Sequence, residues 1–333
     1  MSALLEVNNL KMHFPVRSGL FTRATAWCKS VDDVSLTVAA GETLGLVGES
    51  GCGKSTLGKT IAGLHAPTAG SVVLEGTTVS TLSHRQRLPW RRHLQMIFQD
   101  PAESLNQRHT VGEIIEEPFV IHRIGTREER RRWVRELLQK VGLQPDATSR
   151  YPFEFSGGQR QRIGIARAIA LKPKLVICDE PVSALDVSIQ GQVLNLMMDL
   201  QREMRLAYIF IAHDLAVVKH VSDRIAIMYL GKIVELGPTE TVYHRPLHAY
   251  TRALISAIPQ HDPARRTRRI PIPGDVPSPI TPPPGCAFGH RNAHPRHAES
   301  ITHPPRLREA APGHWVSWCP CCVEQYDATT QSS

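Results

Sequence analysis

The sequence contains no apolar run long enough to cross a lipid bilayer. Its most apolar stretches, residues 175–178 and 207–212, have the length of strands, whereas a membrane-spanning helix needs about 20 apolar residues. The N-terminal residues MSALLEV also lack the basic start and the continuous apolar segment of a secretory signal. These absences predict a protein that stays in the cytoplasm.

Cysteine is too rare and too scattered for a disulfide framework in a chain of 333 residues. The seven cysteines are Cys28, Cys52, Cys178, Cys286, Cys319, Cys321 and Cys322. An odd number at such spacing agrees with a reducing compartment. The composition, with 41% hydrophobic and 21% charged residues, is that of a globular protein rather than a disordered or fibrous one.

The net charge of +8 does not by itself select a partner, because excess Lys and Arg attract any polyanion. Nucleic acid, an anionic membrane surface and nucleotide phosphates would all suit it. The arginines between positions 127 and 135 alternate with Glu128, Glu129 and Glu136, which predicts a solvated helix face.

Short apolar runs bounded by glycine predict strands, with helices between several of them. The predicted strands are residues 5–7, 34–38, 43–47, 71–74, 175–178, 208–211 and 224–229. The predicted helices of this core are residues 54–62, 158–171 and 189–204. Parallel strands that alternate with helices predict an α/β fold in which helices cover both faces of the sheet.

Two segments depart from this alternation. Between residues 82 and 150 the pattern is mostly helical, with helices predicted at 111–119 and 128–141. From residue 259 prolines recur, and such a composition resists regular structure. We therefore predict a domain of residues 1–258, with an inserted helical subdomain at about 82–160, and a proline-rich C-terminal extension of residues 259–333.

A phosphate-binding loop is the strongest local motif. Residues 48–56 read GESGCGKST and match the P-loop pattern G-x-x-x-x-G-K-[ST] between a predicted strand and a predicted helix. The glycines let backbone N–H groups surround a phosphate, Lys54 adds a full positive charge, and Ser55 can bind Mg²⁺. The alternative is a glycine-rich turn that only caps a helix. The expected nucleotide-binding residues of the loop are Gly48, Glu49, Ser50, Gly51, Cys52, Gly53, Lys54, Ser55 and Thr56.

Two acidic residues follow the apolar strand at 175–178. Asp179 is placed to hold Mg²⁺ through water, and Glu180 is placed to activate the attacking water as a general base. Such a pair alone is more often a solvated strand end. The P-loop in the same chain favours the catalytic interpretation.

Residues 155–162, FSGGQRQR, resemble the signature sequence of ATP-binding-cassette (ABC) ATPases. The candidate residues are Ser156, Gly157, Gly158 and Gln159, which open a helix whose first N–H groups can face a γ-phosphate. The resemblance implies a P-loop nucleotide-binding domain of ABC type that hydrolyses ATP with Mg²⁺. It also implies a head-to-tail dimer, in which the signature of one subunit closes over the P-loop of its partner.

The remaining ABC motifs stand in the expected order. By resemblance, Gln99 in the segment IFQD contacts Mg²⁺ and the attacking water, and Asp186 in SALD belongs to a loop at the dimer interface. His213 matches the switch histidine that contacts the γ-phosphate. Phe14 is the favoured residue to stack on adenine, with Trp27 as the other candidate and simple core packing as the alternative for either. The implied catalytic residues are Glu180, His213 and Gln99, and the implied Mg²⁺ ligands are Ser55, Gln99 and Asp179.

Further segments resemble the peptide-importer branch of this family, and the resemblance runs over residues 4–316. They are residues 43–56, 98–101, 151–152, 181–190, 228–235, 246–254 and 274–279. The resemblance implies an ATPase that powers import of oligopeptides or dipeptides from the cytoplasmic face of the bacterial inner membrane. Its implied partners are a second, identical or similar ATPase subunit, two membrane permeases and, indirectly, an external binding protein. Relatives also import nickel, antimicrobial peptides or glutathione, so the cargo stays open.

The extension breaks one family pattern. Many relatives bind an iron–sulfur cluster through four cysteines, but only Cys286 matches, because Asn292, Glu299 and Trp318 occupy the other places. We therefore expect no iron–sulfur cluster. Zinc stays open as a ligand of Cys286 and the late cysteines with a nearby histidine, although a free surface tail is favoured because the spacing is unusual. These further candidates are Cys319, Cys321, Cys322, His290, His294 and His314.

Two rival functions fit less well. A soluble ABC protein acting on nucleic acid would carry two cassettes or a long coiled-coil insertion, and this chain shows one cassette and neither feature. We therefore expect no nucleic-acid partner. A subunit that binds ATP without hydrolysing it is disfavoured because Glu180, His213 and the signature are intact.

Overall fold

The computed structural model describes residues 3–18, 23–258, 269–291 and 294–323. The chain forms two compact units, each assembled from separate segments. The helical unit comprises the described residues of Met1–Leu5, Val38–Thr43 and Val73–Ala212. The P-loop unit comprises the described residues of Glu6–Thr37, Leu44–Val72 and His213–Ser333.

The strands are β1 (Leu5–Ser18), β2 (Arg23–Val38), β3 (Thr43–Val47), β4 (Ala69–Leu74), β5 (Thr77–Thr78), β6 (Leu94–Ile97), β7 (Leu175–Asp179), β8 (Ala207–Ala212), β9 (Arg224–Tyr229), β10 (Lys232–Pro238), β11 (Arg306–Ala311) and β12 (His314–Trp318). The helices are α1 (Lys54–Ile61), α2 (His84–Arg91), α3 (Pro101–Ser104), α4 (Val111–Ile121), α5 (Arg127–Lys140), α6 (Gly157–Ile169), α7 (Val187–Met204), α8 (Leu215–Val221), α9 (Thr239–His244), α10 (Ala249–Ser256), α11 (Ala287–Arg291) and α12 (His297–Thr302). Among the described residues, no helix has the length and apolar content needed to span a membrane.

In the helical unit, β8, β7 and β6 lie side by side as parallel strands. Every residue of β7 and β8 is buried, which is typical of parallel strands covered on both faces and explains the apolar sequence of β8 and of β7 before Asp179. Helices α4, α5 and α6 pack against one another through buried side chains that include Ile114, Leu138 and Ile163. Helices α4 and α5 lie where helices were predicted at 111–119 and 128–141, whereas the prediction of a mostly helical segment at 82–150 missed the strand β6.

Helices α4, α5 and α6 each begin with a capping box, in which the residue before the helix and the residue three positions later each accept a hydrogen bond, through the side chain, from the other's backbone N–H. The Thr110 N–H donates to Glu113 Oε2 at 2.7 Å at the start of α4, and the Thr126 N–H donates to Glu129 Oε2 at 2.7 Å at the start of α5. Ser156 does the same with Gln159 at the start of α6. The sequence thus fixes where these helices start.

In the P-loop unit, β3 runs parallel to β9. Strands β9 and β10 pair antiparallel and form a hairpin. A second sheet places β1 between β2 and β4. The strand predicted at residues 5–7 is therefore too short, since β1 continues to Ser18. It continues through Asn8 and Asn9, whose polar side chains interrupt the apolar run that predicts the strand.

The C-terminal extension adds two strands to the sheet of the P-loop unit. Strand β12 pairs with β10, with Val316 opposite Glu235, and β11 pairs with β12 on its other side. Residues 269–286 carry neither helix nor strand, in agreement with their proline content. The prediction of a free surface tail is wrong for the described part of the extension, because alternate residues of β12, His314 and Val316, are buried. The predicted boundary at 258/259 borders residues 259–268, which lie outside the described residues.

A buried polar cluster fixes this addition in place. Glu235 on β10 is fully buried and accepts hydrogen bonds from the N–H groups of Leu247 and His248 at 2.8 and 3.0 Å. Its carboxylate also contacts His314 Nε2 on β12 at 2.8 Å. Burial by itself would raise the pKa of Glu235, but these hydrogen bonds outweigh burial and lower it.

Burial lowers the pKa of His248 from 6.5 to about 4, because the site excludes the water that a charged imidazole needs. The neutral ring accepts a hydrogen bond at Nδ1 from the Tyr250 N–H at 3.2 Å. Between about pH 6.5 and pH 4 the unfolded chain therefore binds a proton at His248, whereas the folded chain does not.

We predict that His248 makes the protein less stable as pH falls from about 6.5 to about 4, by up to about 3 kcal/mol. Urea unfolding of the wild type, of His248→Asn and of the exposed control His244→Asn at pH 7 and pH 5 measures this. The loss between the two pH values should shrink in His248→Asn and stay unchanged in His244→Asn. An equal loss in all three proteins would contradict the assignment.

Candidate functional site

The P-loop connects β3 to α1, and its backbone packs closely against neighbouring strands of the P-loop unit. A Cβ atom at Gly48 would lie 2.1 Å from the Met228 carbonyl oxygen, and one at Gly53 would lie 2.0 Å from the Ser30 carbonyl oxygen. Gly53 also has a φ of 105°, in the region that L side chains avoid. The glycines are therefore required by packing and by backbone conformation.

Lys54 is buried at the start of α1, and its ammonium group lies against the loop. Its Nζ donates hydrogen bonds to the carbonyl oxygens of Gly48 and Glu49 at 2.7 and 3.0 Å. The arrangement holds one positive charge inside a loop of backbone N–H groups, which suits an anion. Burial raises the pKa of the neighbouring Cys52 thiol, which keeps it neutral.

Two residues that the sequence analysis missed support this loop. The Glu49 N–H donates to Tyr250 Oη at 2.9 Å, and Glu49 Oε2 forms an ion pair with Arg291 Nη1 at 2.7 Å. Arg291 also donates to the Gly274 carbonyl oxygen at 2.7 Å, so it ties the loop to the extension. These partners lie 201 and 242 positions from Glu49, and no local sequence signal marks them.

The carboxylate residues lie in the helical unit at the end of β7. Asp179 is 3% exposed, and Glu180 follows it with a φ of 47°, a left-handed conformation that is uncommon for a residue with a side chain. The Glu180 N–H donates to the Ile211 carbonyl oxygen at 3.0 Å, and Gln99 Nε2 donates to Glu180 Oε2 at 3.0 Å. The structure therefore brings together Gln99 and Glu180, which the sequence analysis assigned to one site.

The signature residues open α6 in the same unit. Ser156 caps the helix by accepting a hydrogen bond from the Gln159 N–H at 3.3 Å, so the N–H groups of Gly157 and Gly158 lie in a first turn that offers them no acceptor. A Cβ at Gly158 would lie 2.5 Å from Ile189 Cγ2. The signature thus packs directly on α7, the helix that Asp186 precedes.

The remaining candidates occupy other places in the P-loop unit. Ser55 and Thr56 lie in the first turn of α1, and His213 is exposed directly after the end of β8 in the chain. Phe14 on β1 is half-buried and meets the ring of His65 edge-on at 5.4 Å, whereas Trp27 on β2 is 50% exposed. The stacking of either ring on adenine remains a prediction.

Comparison with known proteins gives matches to two families. The model of the ABC transporter family matches residues 31–183, and that of the oligopeptide/dipeptide transporter C-terminal region matches residues 234–297. The oligopeptide transport ATP-binding protein AppF of Bacillus subtilis is 52% identical over 319 residues, which cover 94% of this chain and 96% of that protein. The probable peptide ABC transporter ATP-binding protein y4tS of Sinorhizobium fredii is 54% identical over 294 residues, covering 88% and 82%.

Solved structures agree with these relatives. A dimeric ATP-binding cassette, MJ0796, in a post-hydrolysis state bound to ADP and phosphate, superposes with a TM-score of 0.63 at 27% identity. The match covers 71% of this chain and 98% of that one. The P-loop, the strand ending in two acids, the signature helix and this likeness define an ABC ATPase. Within that class, the chain belongs to the family of ATP-binding subunits of oligopeptide/dipeptide transporters.

We predict that Gly158→Ala lowers stability by about 1–3 kcal/mol and reduces ATPase activity, because the added methyl group would displace α6 from Ile189. Gly164→Ala is the matched control in the same helix, since a Cβ there meets no atom within 4 Å. This control should retain activity and gain up to about 1 kcal/mol from the better helix propensity of alanine. Thermal unfolding and steady-state ATPase assays compare the two variants, and equal effects would contradict the packing argument.

Proposed function

We propose that this chain binds ATP with Mg²⁺ and hydrolyses it to power import of oligopeptides or dipeptides through a membrane permease. The observation that carries the hydrolytic part is the hydrogen bond from Gln99 to Glu180 beside the buried Asp179. The match of residues 234–297 to the oligopeptide/dipeptide transporter C-terminal region supports the proposal that the cargo is a peptide. The names of the AppF and y4tS relatives, which specify oligopeptide or peptide transport, favour peptides over nickel or glutathione.

The P-loop residues bind the phosphates in this proposal. Lys54 exchanges its hydrogen bonds with the carbonyl oxygens of Gly48 and Glu49 for bonds to phosphate oxygens, and the N–H groups of residues 50–56 complete the cradle. Phe14 stacks on adenine. Because Lys54 is buried and already positioned, little side-chain freedom is lost when the nucleotide binds.

Three side chains offer oxygen ligands for Mg²⁺, namely the Ser55 hydroxyl, the Gln99 amide and the Asp179 carboxylate. Oxygen donors are those that Mg²⁺ prefers, so the donor set fits this ion. The ion supplies charge neutralisation for the phosphates. Asp179 is well placed to be a Mg²⁺ ligand because it is buried at the end of β7, where pairing with β8 fixes its position.

Glu180 activates the attacking water. As the water oxygen bonds to the γ-phosphorus and the bond to the β,γ-bridging oxygen breaks, the water proton passes to the Glu180 carboxylate. Gln99 orients that carboxylate through its hydrogen bond. His213 contacts the γ-phosphate, and the products are ADP, which leaves with the bridging oxygen, and inorganic phosphate.

A second ATPase subunit completes each site. The first-turn N–H groups of Gly157 and Gly158, with Ser156, Gln159 and Asp186, face the γ-phosphate held by the partner's P-loop. The likeness to a dimeric cassette supports this assembly, in either a homodimer or a heterodimer. The dimer lies beneath two permease subunits on the cytoplasmic face of the bacterial inner membrane, and an external binding protein delivers the cargo.

We predict that Glu180→Gln lowers ATPase activity about 100-fold or more, because the amide cannot accept the water proton. ATP affinity should stay within a few-fold of the wild type, since the P-loop is unchanged. Fluorescent-nucleotide titration and phosphate release measure the two quantities, with Glu136→Gln, an exposed acid on α5, as the control. Full activity of Glu180→Gln would remove Glu180 from the mechanism.

The transport assignment predicts that ATP hydrolysis depends on the permeases. Membranes that contain the chain, its partner ATPase and the permeases should hydrolyse ATP several-fold faster when a peptide-loaded binding protein is added. Binding protein exposed to nickel or glutathione instead of peptide should give no such increase. An ATP hydrolysis rate that does not depend on the permeases but increases with DNA or RNA would overturn the transport assignment.

A further inference from the structure

Four cysteines of the extension converge in the interior of the P-loop unit. Cys286, Cys319, Cys321 and Cys322 are all buried, with exposed fractions of 6% or less. The Sγ atoms of Cys286, Cys319 and Cys321 all lie within 4.8 Å of one another, and Cys286 Sγ lies 3.4 Å from Cys322 Sγ. The first residue precedes α11 and the other three follow β12, so the chain returns to build the cluster.

Backbone N–H groups point at these sulfur atoms. The Gly289 N–H donates to Cys286 Sγ at 3.2 Å, and the Cys321 N–H donates to Cys319 Sγ at 3.3 Å. Such bonds stabilise negative charge on sulfur and are typical of the second shell of a metal centre. A Cβ at Gly289 would lie 2.6 Å from Cys321 Sγ, so only glycine leaves room for the cluster.

We propose that Cys286, Cys319, Cys321 and Cys322 bind one Zn²⁺ ion as a structural site. With Zn–S bonds of about 2.3 Å, the sulfurs of a tetrahedral site stand about 3.8 Å apart. The 3.4 Å between the Sγ atoms of Cys286 and Cys322, and the upper limit of 4.8 Å among those of Cys286, Cys319 and Cys321, agree with that spacing. A [4Fe–4S] cluster bonds each of its four thiolates to a different iron and holds the thiolates farther apart, so the crowding favours a single ion.

The neighbouring histidines have other partners. His314 Nε2 contacts Glu235 at 2.8 Å, the His290 ring packs against the His297 ring at 5.4 Å, and His294 Nδ1 accepts from the Arg296 N–H. Among the described residues, the potential ligand atoms that converge within 4.8 Å of one another are the sulfur atoms of Cys286, Cys319 and Cys321. Soft thiolates select zinc over magnesium or calcium.

The site lies next to the residues that support the P-loop. Phe288, two positions after Cys286, packs on Tyr250 with ring centroids 5.3 Å apart, and Tyr250 accepts the hydrogen bond from Glu49. Arg291 ends the same helix α11 and pairs with Glu49. Zinc would therefore fix the helix that holds Glu49, and its binding does not depend on whether the proposed transport function is correct.

We predict one zinc ion per chain in protein purified under reducing conditions from zinc-supplemented cells, measured by elemental analysis. Cys321→Ser and Cys322→Ser should weaken zinc binding at least about tenfold, since even loss of a residue that only supports a ligand costs about that much. Cys28→Ser, which lies outside the cluster, should retain the full content. A thermal midpoint that falls on chelation and recovers with zinc would support a structural role.

Titration of the chelated wild-type protein with Co²⁺ tests the geometry without any substitution. Tetrahedral thiolate coordination should give intense sulfur-to-cobalt charge-transfer bands at one equivalent, and zinc should displace them. Several iron atoms with acid-labile sulfide would overturn the proposal in favour of a cluster. Four thiols that react freely, or a disulfide found by mass spectrometry, with no bound metal would overturn it as well.

Discussion

The close approach between the P-loop backbone and its neighbouring strands is the constraint on which the P-loop unit depends. The carbonyl oxygens of Ser30 and Met228 leave no room for a side chain at Gly53 or Gly48. The Gly231 N–H adds a hydrogen bond to the Cys52 carbonyl oxygen at 2.9 Å. Because the strands fix one side of the loop, its N–H groups are left to face a ligand rather than the protein.

The helical unit meets a different requirement, which is to hold a carboxylate in a defined direction. Glu180 accepts backbone strain of about 1 kcal/mol in its left-handed conformation, and the hydrogen bonds to Ile211 and from Gln99 stabilise it there. An unstrained residue at the end of β7 would continue the strand direction. The strain therefore serves orientation rather than stability.

The core strands and the local motifs were predictable from the sequence because they depend on neighbouring residues. The predicted bounds 43–47 and 224–229 coincide with β3 and β9, whose mostly apolar sequences reflect burial on both faces. The pairing of β12 with β10 and the convergence of Cys286 with Cys319 depend instead on contacts between distant segments. The ion pair between Glu49 and Arg291 also joins segments that are distant in the sequence. Spacing along the chain carries no signal for such contacts.

The ion pair between Glu49 and Arg291 has a consequence for how this sequence can change over time. Glu49 occupies a variable place of the P-loop pattern, yet its carboxylate meets a side chain that is 8% exposed and comes from the extension. Loss of Glu49 alone would leave the poorly exposed guanidinium of Arg291 without its carboxylate partner, which costs more than loss of both charges. Substitutions at these two positions should therefore be inherited together, and the loop and the extension evolve as one module despite their distance in the sequence.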